Sequence, residues 1–105
     1  MIRVRSIDSV LAKAFSRWQR LPVFRDVRWG RTSVVAANLL ASECGCIVRR
    51  GSSTSIRVRR GVPLHVALAT LLHEMAHAKC GWHPGAPWGT HTTEWRRVFV
   101  AATSQ

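Results

Sequence analysis

The sequence predicts an α+β domain, and three observations predict it. Apolar residues recur at three- and four-residue spacing in an N-terminal, a central and a C-terminal stretch, the signature of amphipathic helices. Between the first two, Ile56-Arg57-Val58-Arg59 alternates strictly, as a half-buried strand does, and Gly51-Ser52-Ser53-Thr54 joins it hairpin-fashion to the run ending in Arg49-Arg50. With 105 residues, 47% of them hydrophobic, there is room for one modest core and not for a second.

The elements follow in order. Ile7, Val10, Leu11, Ala14, Phe15 and Trp18 line one side of a leading helix over 7–20, with Ser6 or Asp8 as its N-cap and Leu21-Pro22 as its stop. Residues 31–43 fit either a strand and turn or a short helix, because Val34, Val35, Leu39 and Leu40 satisfy both spacings. In the basic hairpin, Ile56 and Val58 turn inward and the arginines outward. Leu64, Leu68, Leu71, Leu72, Met75 and Ala76 form the stripe of a helix over 63–80, opened by Pro63 and closed by Gly81. The loop from Gly81 to Thr90 is too rich in proline and glycine for regular structure. Trp95, Val98, Phe99 and Ala102 then define a closing helix over 91–102, with Thr90 or Thr92 near its N-cap.

The central helix contains His73-Glu74-Met75-Ala76-His77. Residues four apart on a helix differ by about 40° around the axis and about 6 Å along it, so the two imidazoles can converge on one ion. Glu74 lies about 100° from His73, too far round to be a ligand without strain but well placed to take a proton from water. This HExxH arrangement is that of a hydrolytic zinc site, with Glu74 as general base and acid. Ala69 and Thr70 share the histidine face and leave room for a pocket.

Such a site needs a third protein ligand and one open position. His91 has the better structural argument, because it falls on the inner face of the closing helix one turn before Trp95. Glu94, on the same side, and His83 are the alternatives. His83 has the spacing of the pattern HExxHxxGxxH, but Cys80 stands where that pattern needs glycine, and Met1 and Met75 provide no methionine turn. His65 reads as a helix-surface histidine. There is no tyrosine, so an oxyanion stabiliser beyond zinc falls to His83 or an arginine.

The segment Leu71-Leu72-His73-Glu74-Met75-Ala76-His77-Ala78, followed by His91-Thr92-Thr93-Glu94-Trp95, resembles the SprT-like (Spartan-type) zinc metalloproteases, in which HExxH is followed by a histidine opening an aromatic-bearing helix. Leu21-Pro22, Val27-Arg28-Trp29 and Gly45-Cys46 stand in the same family's order of elements, so the resemblance spans residues 15–100. Thr92 replaces the family's glycine, and no CxxC pair supplies the zinc ribbon of many relatives. The resemblance implies a minimal, catalytic-domain-only member with a zincin-like fold: a small antiparallel or mixed sheet packed with the HExxH helix, a leading helix and a C-terminal helix. It further implies peptide-bond hydrolysis by zinc-activated water, acting on proteins associated with or crosslinked to DNA.

The net charge is +11, and fourteen of the sixteen basic residues are arginine, whose planar fork suits bidentate contact with phosphate. Arg49, Arg50, Arg57, Arg59 and Arg60 make a basic ribbon. Its expected partner is DNA, single-stranded or bound without regard to sequence, through salt-sensitive backbone contacts; the plainer reading is a solvated strand face. Trp82 and Trp88 are expected to line the substrate cleft or stack on bases, unless they plug a thin core. Trp18, Trp29 and Trp95 read as packing residues. Cys44, Cys46 and Cys80 read as small buried or partly buried thiols of a reducing compartment, rather than a disulfide framework or a Cys44/Cys46 metal site. No run of about 18 apolar residues and no apolar leader is present, so a monomeric cytoplasmic protein is expected, nucleoid-associated or nuclear, without membrane contact. A sheet edge is expected to align the polypeptide substrate by strand addition. The rival is a non-catalytic nucleic-acid-binding module with structural zinc. Against it stand the intact Glu74 and only three obvious ligands, since structural sites are usually closed by four protein donors.

Overall fold

The computed structural model describes residues 6–40, 43–80 and 93–104, which form three α-helices and one mixed three-stranded sheet around a common core. Helix α1 (Ile7–Trp18) begins at Ser6, whose Oγ accepts the Ser9 N–H at 3.2 Å and so satisfies a donor the first turn leaves orphaned. It ends earlier than expected because the residue before a proline avoids helical backbone: Leu21 sits at φ −60°, ψ 142°. Pro22 opens a single 3-10 turn (Pro22–Phe24) that buries Phe24. Trp29 meets Phe15 and Phe24 edge-on at 5.4 and 5.8 Å and donates its indole N–H to the Phe24 carbonyl. Both the ring and its polar atom are thus satisfied.

Of the two readings for residues 31–43, the strand is found: β1 (Thr32–Ala37) buries Val34 and Ala36. Strands β2 (Gly45–Arg50) and β3 (Ser53–Arg59) form the hairpin. Its turn is tighter than expected, only Gly51 and Ser52, because Gly51 takes φ +59°, a conformation that closes a two-residue hairpin and strains other residues. The sheet order is β1-β3-β2, with central β3 parallel to β1 and antiparallel to β2. Val34, Ala36, Ile56 and Val58 face the helices. Arg57 and Arg59 alternate with them onto the other face, which no described helix covers. The outer border of β1 is occupied at Ala36: its N–H donates to Asp8 Oδ1 at 2.7 Å, and its carbonyl accepts from the Arg60 guanidinium at 2.9 Å. Asp8, expected as a candidate helix cap, therefore serves the strand instead.

Helix α2 (Leu64–Cys80) starts where the Pro63 carbonyl accepts the Ala67 N–H. Its buried face is rotated from the expected stripe. Ala67, Leu71, Leu72, Met75 and Ala76 are buried, whereas Leu64 is 49% exposed. The small Ala67 sits at the sheet-facing position in place of Leu64, and the rotation carries Glu74 inward with Ala67 and Leu71. Helix α3 (Thr93–Thr103) buries Trp95, Val98 and Ala102 against α2. The Gly81 cap and the expected first residues of α3 lie outside the described residues. Among the described residues, no helix is long and apolar enough to cross a membrane.

Candidate metal and catalytic site

His73 and His77 stand one turn apart on α2, with their Nε2 atoms 3.2 Å from each other. Two imidazole nitrogens each about 2.0–2.1 Å from one tetrahedral ion lie roughly 3.3 Å apart, so the pair fits a zinc ion as it stands. Trp95 of α3 walls this pair, its ring 4.8 Å from His73 and 5.3 Å from His77, and its indole N–H donates to the His73 carbonyl at 3.4 Å. Phe99 stacks behind Trp95 at 5.1 Å. Trp95, expected as a packing residue, thus also borders the histidine pair; its place four residues after His91 is the sequence signal for that position.

Glu74 is the one buried charged side chain among the described residues, at 6% exposure. No hydrogen bond or ion pair from another described residue reaches its carboxyl. Burial without a compensating donor pushes its pKa up to about 7. Glu74 lines a cavity of about 550 Å³ together with Glu43, Cys44, Gly45, His65, Val66, Ala69, Thr70 and His73. Room beside Ala69 and Thr70 was expected; the contribution of Glu43, Cys44 and Gly45 was not, and His65 belongs to the cavity wall as well.

The cavity owes its shape to a close approach of β2 to α2. A Cβ on Gly45 would stand 2.6 Å from Thr70 Cγ2, 3.1 Å from the Arg57 carbonyl oxygen and 3.3 Å from Glu74 Cγ. Only glycine fits there, and a glycine inside a strand is the sequence mark of such an approach.

Glu94 is exposed on the first turn of α3, and among the described residues no group of three His, Cys, Asp or Glu side chains could hold an ion. His83, His91, Trp82 and Trp88 lie outside the described residues. The three cysteines are free; Cys44 is exposed rather than buried, while burial pushes the thiols of Cys46 and Cys80 up.

The five hairpin arginines do not share one surface. By strand alternation Arg50, Arg57 and Arg59 lie on the helix-free face, Arg49 lies on the other, and Arg60 follows the strand. The Arg59 Nε donates to the Glu43 carbonyl at 2.8 Å and its guanidinium also reaches the Leu40 carbonyl, while Arg60 holds Ala36. Arg31 extends the group by donating to Ser52 Oγ. The single ion pair among the described residues is Lys79–Asp26 at 2.5 Å, whose hydrogen bond holds the Asp26 carboxyl below the usual range. Among the described residues, no carboxylate pairs with the sheet arginines.

Comparison of the chain with protein-family models, with characterised proteins and with solved structures gives no match.

Proposed function

We propose that the chain is a zinc-dependent peptidase of zincin-like, SprT-like type, with His73, His77 and His91 as ligands and Glu74 as general base and acid. One observation carries the reading: buried Glu74, whose carboxyl has no partner among the described residues, lines a cavity beside two imidazoles whose nitrogens are spaced for one ion. Bound there, zinc would supply Lewis acidity, making water more acidic and a peptide carbonyl more electrophilic. Glu74 takes the proton of the attacking water and returns it to the leaving amine. Trp95 and Phe99 hold the imidazoles from behind and keep water off that side. His91 precedes α3 by two residues, and the Trp95 of that helix stands against both imidazoles, which supports it as the third ligand.

The substrate is a polypeptide in extended form. β2 is an edge strand whose outer border pairs with no described strand, and its first residue, Gly45, borders the cavity. Because the Arg59 N–H donates to the Cys44 carbonyl, alternation turns the backbone of Gly45, Ile47 and Arg49 toward that free border, where an added strand can bond. The arginines on the helix-free face, with which no described carboxylate pairs, support nucleic acid as the setting in which substrates are met, and they leave the cleft on the helical side open. The rival, a nucleic-acid module with structural zinc, gives no use to Glu74: an ion closed by four protein donors has no need of a buried carboxyl facing a cavity.

The test is cleavage of an unfolded protein and a peptide library by zinc-loaded protein and by Glu74→Gln. The expected outcome is retained zinc and fold with activity reduced about 10²–10⁴-fold in the variant. Equal cleavage by both, or none by the wild type, removes the peptidase reading. Zinc content assigns the third ligand: His91→Ala loses the metal and His83→Ala keeps it.

A further inference from the structure

The cavity beside Glu74 has an electrostatic character opposite to that of the chain. Only five residues are acidic, against sixteen Lys and Arg. Asp8 is bonded to the Ala36 N–H and Asp26 to Lys79. Glu94 stands on α3. The remaining two, Glu43 and Glu74, both line this cavity, and among the described residues neither carboxyl has a hydrogen-bonding or ionic partner. Arg59 comes close to Glu43 but bonds its backbone carbonyl. Among the described residues, no lysine or arginine lines the cavity. A chain with this excess of cations has left two carboxyls unmatched in one hole, one of them more than nine-tenths buried.

We infer that this cavity receives a lysine or arginine side chain of the polypeptide, next to the bond to be cut, with Glu43 meeting the cationic end. The inference rests on the peptidase reading of the cleft. Its chemistry follows from the lining. Val66, Ala69 and the Thr70 methyl offer an apolar wall to a long aliphatic stem, and Glu43, itself partly exposed, offers a charge near solvent. Lysine and arginine have that division, an apolar stem with a charged head kept close to water. The cavity, at about 550 Å³, has ample room for either. Glu74 need not take part, because its place is at the water. The positive surface does not cancel the preference: opposite charges within a few ångströms outweigh more distant like charges that salt screens beyond about 8–10 Å.

The edge strand gives the pocket a register. Gly45 and Ile47 turn their backbone outward, and Gly45 lies on the cavity wall, so a peptide paired along β2 passes the mouth of the cavity at that residue. One side chain of the peptide, and not its immediate neighbours, drops into it, since successive side chains of an extended strand point to opposite sides.

The experiment uses the full zinc-loaded chain and a fluorogenic peptide library in which each position flanking the scissile bond is in turn lysine, norleucine or glutamate. Norleucine keeps the stem and removes the charge. At one position we expect lysine to be favoured over norleucine by about tenfold in kcat/KM, a ratio that falls toward one in Glu43→Gln and gives way to a preference for glutamate in Glu43→Lys. An unchanged lysine preference in both variants, or none in the wild type, overturns the pocket while leaving the peptidase intact. If no peptide is cut, the same peptides are titrated into zinc-loaded Glu74→Gln protein. A lysine-over-norleucine difference in Kd that disappears with Glu43→Gln sustains the pocket without the enzyme, and equal affinities overturn it.

Discussion

Alanine at Gly45 tests the close approach that shapes the cavity. The new methyl would lie 2.6 Å from Thr70 Cγ2 and 3.1 Å from the Arg57 carbonyl oxygen. Neither neighbour yields easily, because the Thr70 hydroxyl is tied to the Val66 carbonyl at 2.8 Å and Arg57 lies in the central strand. Overpacking of this kind costs about 1–3 kcal/mol, and with one contact at 2.6 Å and two more at 3.1 and 3.3 Å we expect about 2 kcal/mol. Thr70→Ser supplies the internal check. It deletes the obstructing methyl and keeps the hydroxyl, at a cost of about 1 kcal/mol for a lost, partly buried methyl. The two changes should therefore be non-additive: the double variant should be no less stable than Gly45→Ala alone, a coupling of about 1 kcal/mol. Rescue remains incomplete because the contact with the Arg57 carbonyl persists. Urea unfolding of the four proteins measures the cycle. A Gly45→Ala variant within about 0.5 kcal/mol of wild type, or strict additivity, would refute the geometry of the β2–α2 approach.

The remaining predictions concern charge and hydrogen bonding. In metal-free protein the Glu74 pKa lies above its unfolded value, so the carboxyl adds little penalty below pH 4.5, a growing one as pH rises to about 7, and a constant one above. Glu74→Gln should then match wild type in stability near pH 4 and exceed it by about 3 kcal/mol at pH 8; a difference that stays flat across that range contradicts the burial of an unpartnered carboxyl. Asp8→Ala should cost about 1–2 kcal/mol in urea unfolding through the orphaned Ala36 N–H, and an unaltered midpoint would show that the bond contributes nothing. Joint replacement of Arg50 and Arg57 by glutamine should weaken binding to single-stranded DNA and flatten its log–log salt dependence by about one to two units, whereas replacing Arg17 and Arg20 on α1 should have a smaller effect; the reverse pattern would move the nucleic-acid surface off the sheet.

Local chemistry made most of the elements legible. Ser6, Leu21-Pro22, Pro63 and the period of Leu71, Leu72 and Met75 mark α1 and α2 because capping, proline sterics and helical spacing act over a few residues. The same holds for the spacing of His73 and His77, which helix geometry alone turns into two nitrogens 3.2 Å apart. What escaped is non-local. The parallel pairing of β1 with β3 joins residues more than twenty apart, and Val34-Val35 carry no mark of it. Asp8 looks like a helix cap until β1 arrives beside it. Arg59 and Arg60 look like free surface charges until the backbone carbonyls they bind are brought into reach. The cavity was the largest omission, since its far wall comes from Glu43 to Gly45 on a different element from the histidines. Gly45 was the visible clue: in a strand otherwise made of Cys46, Ile47, Val48 and two arginines, a residue without a side chain marks the place where something else passes close.

The two borders of the sheet differ in what they permit. A strand border left open invites a second molecule to continue the sheet, and growth without limit requires both borders to accept. Here Asp8 and Arg60 plug the β1 border at Ala36, so a second copy joining through β2 would produce a six-stranded pair whose two ends are both stoppered. The bonds at Ala36 thus oppose continued growth of the sheet at that border, and loss of Asp8 would free the Ala36 N–H there at the same time as it loosens the fold.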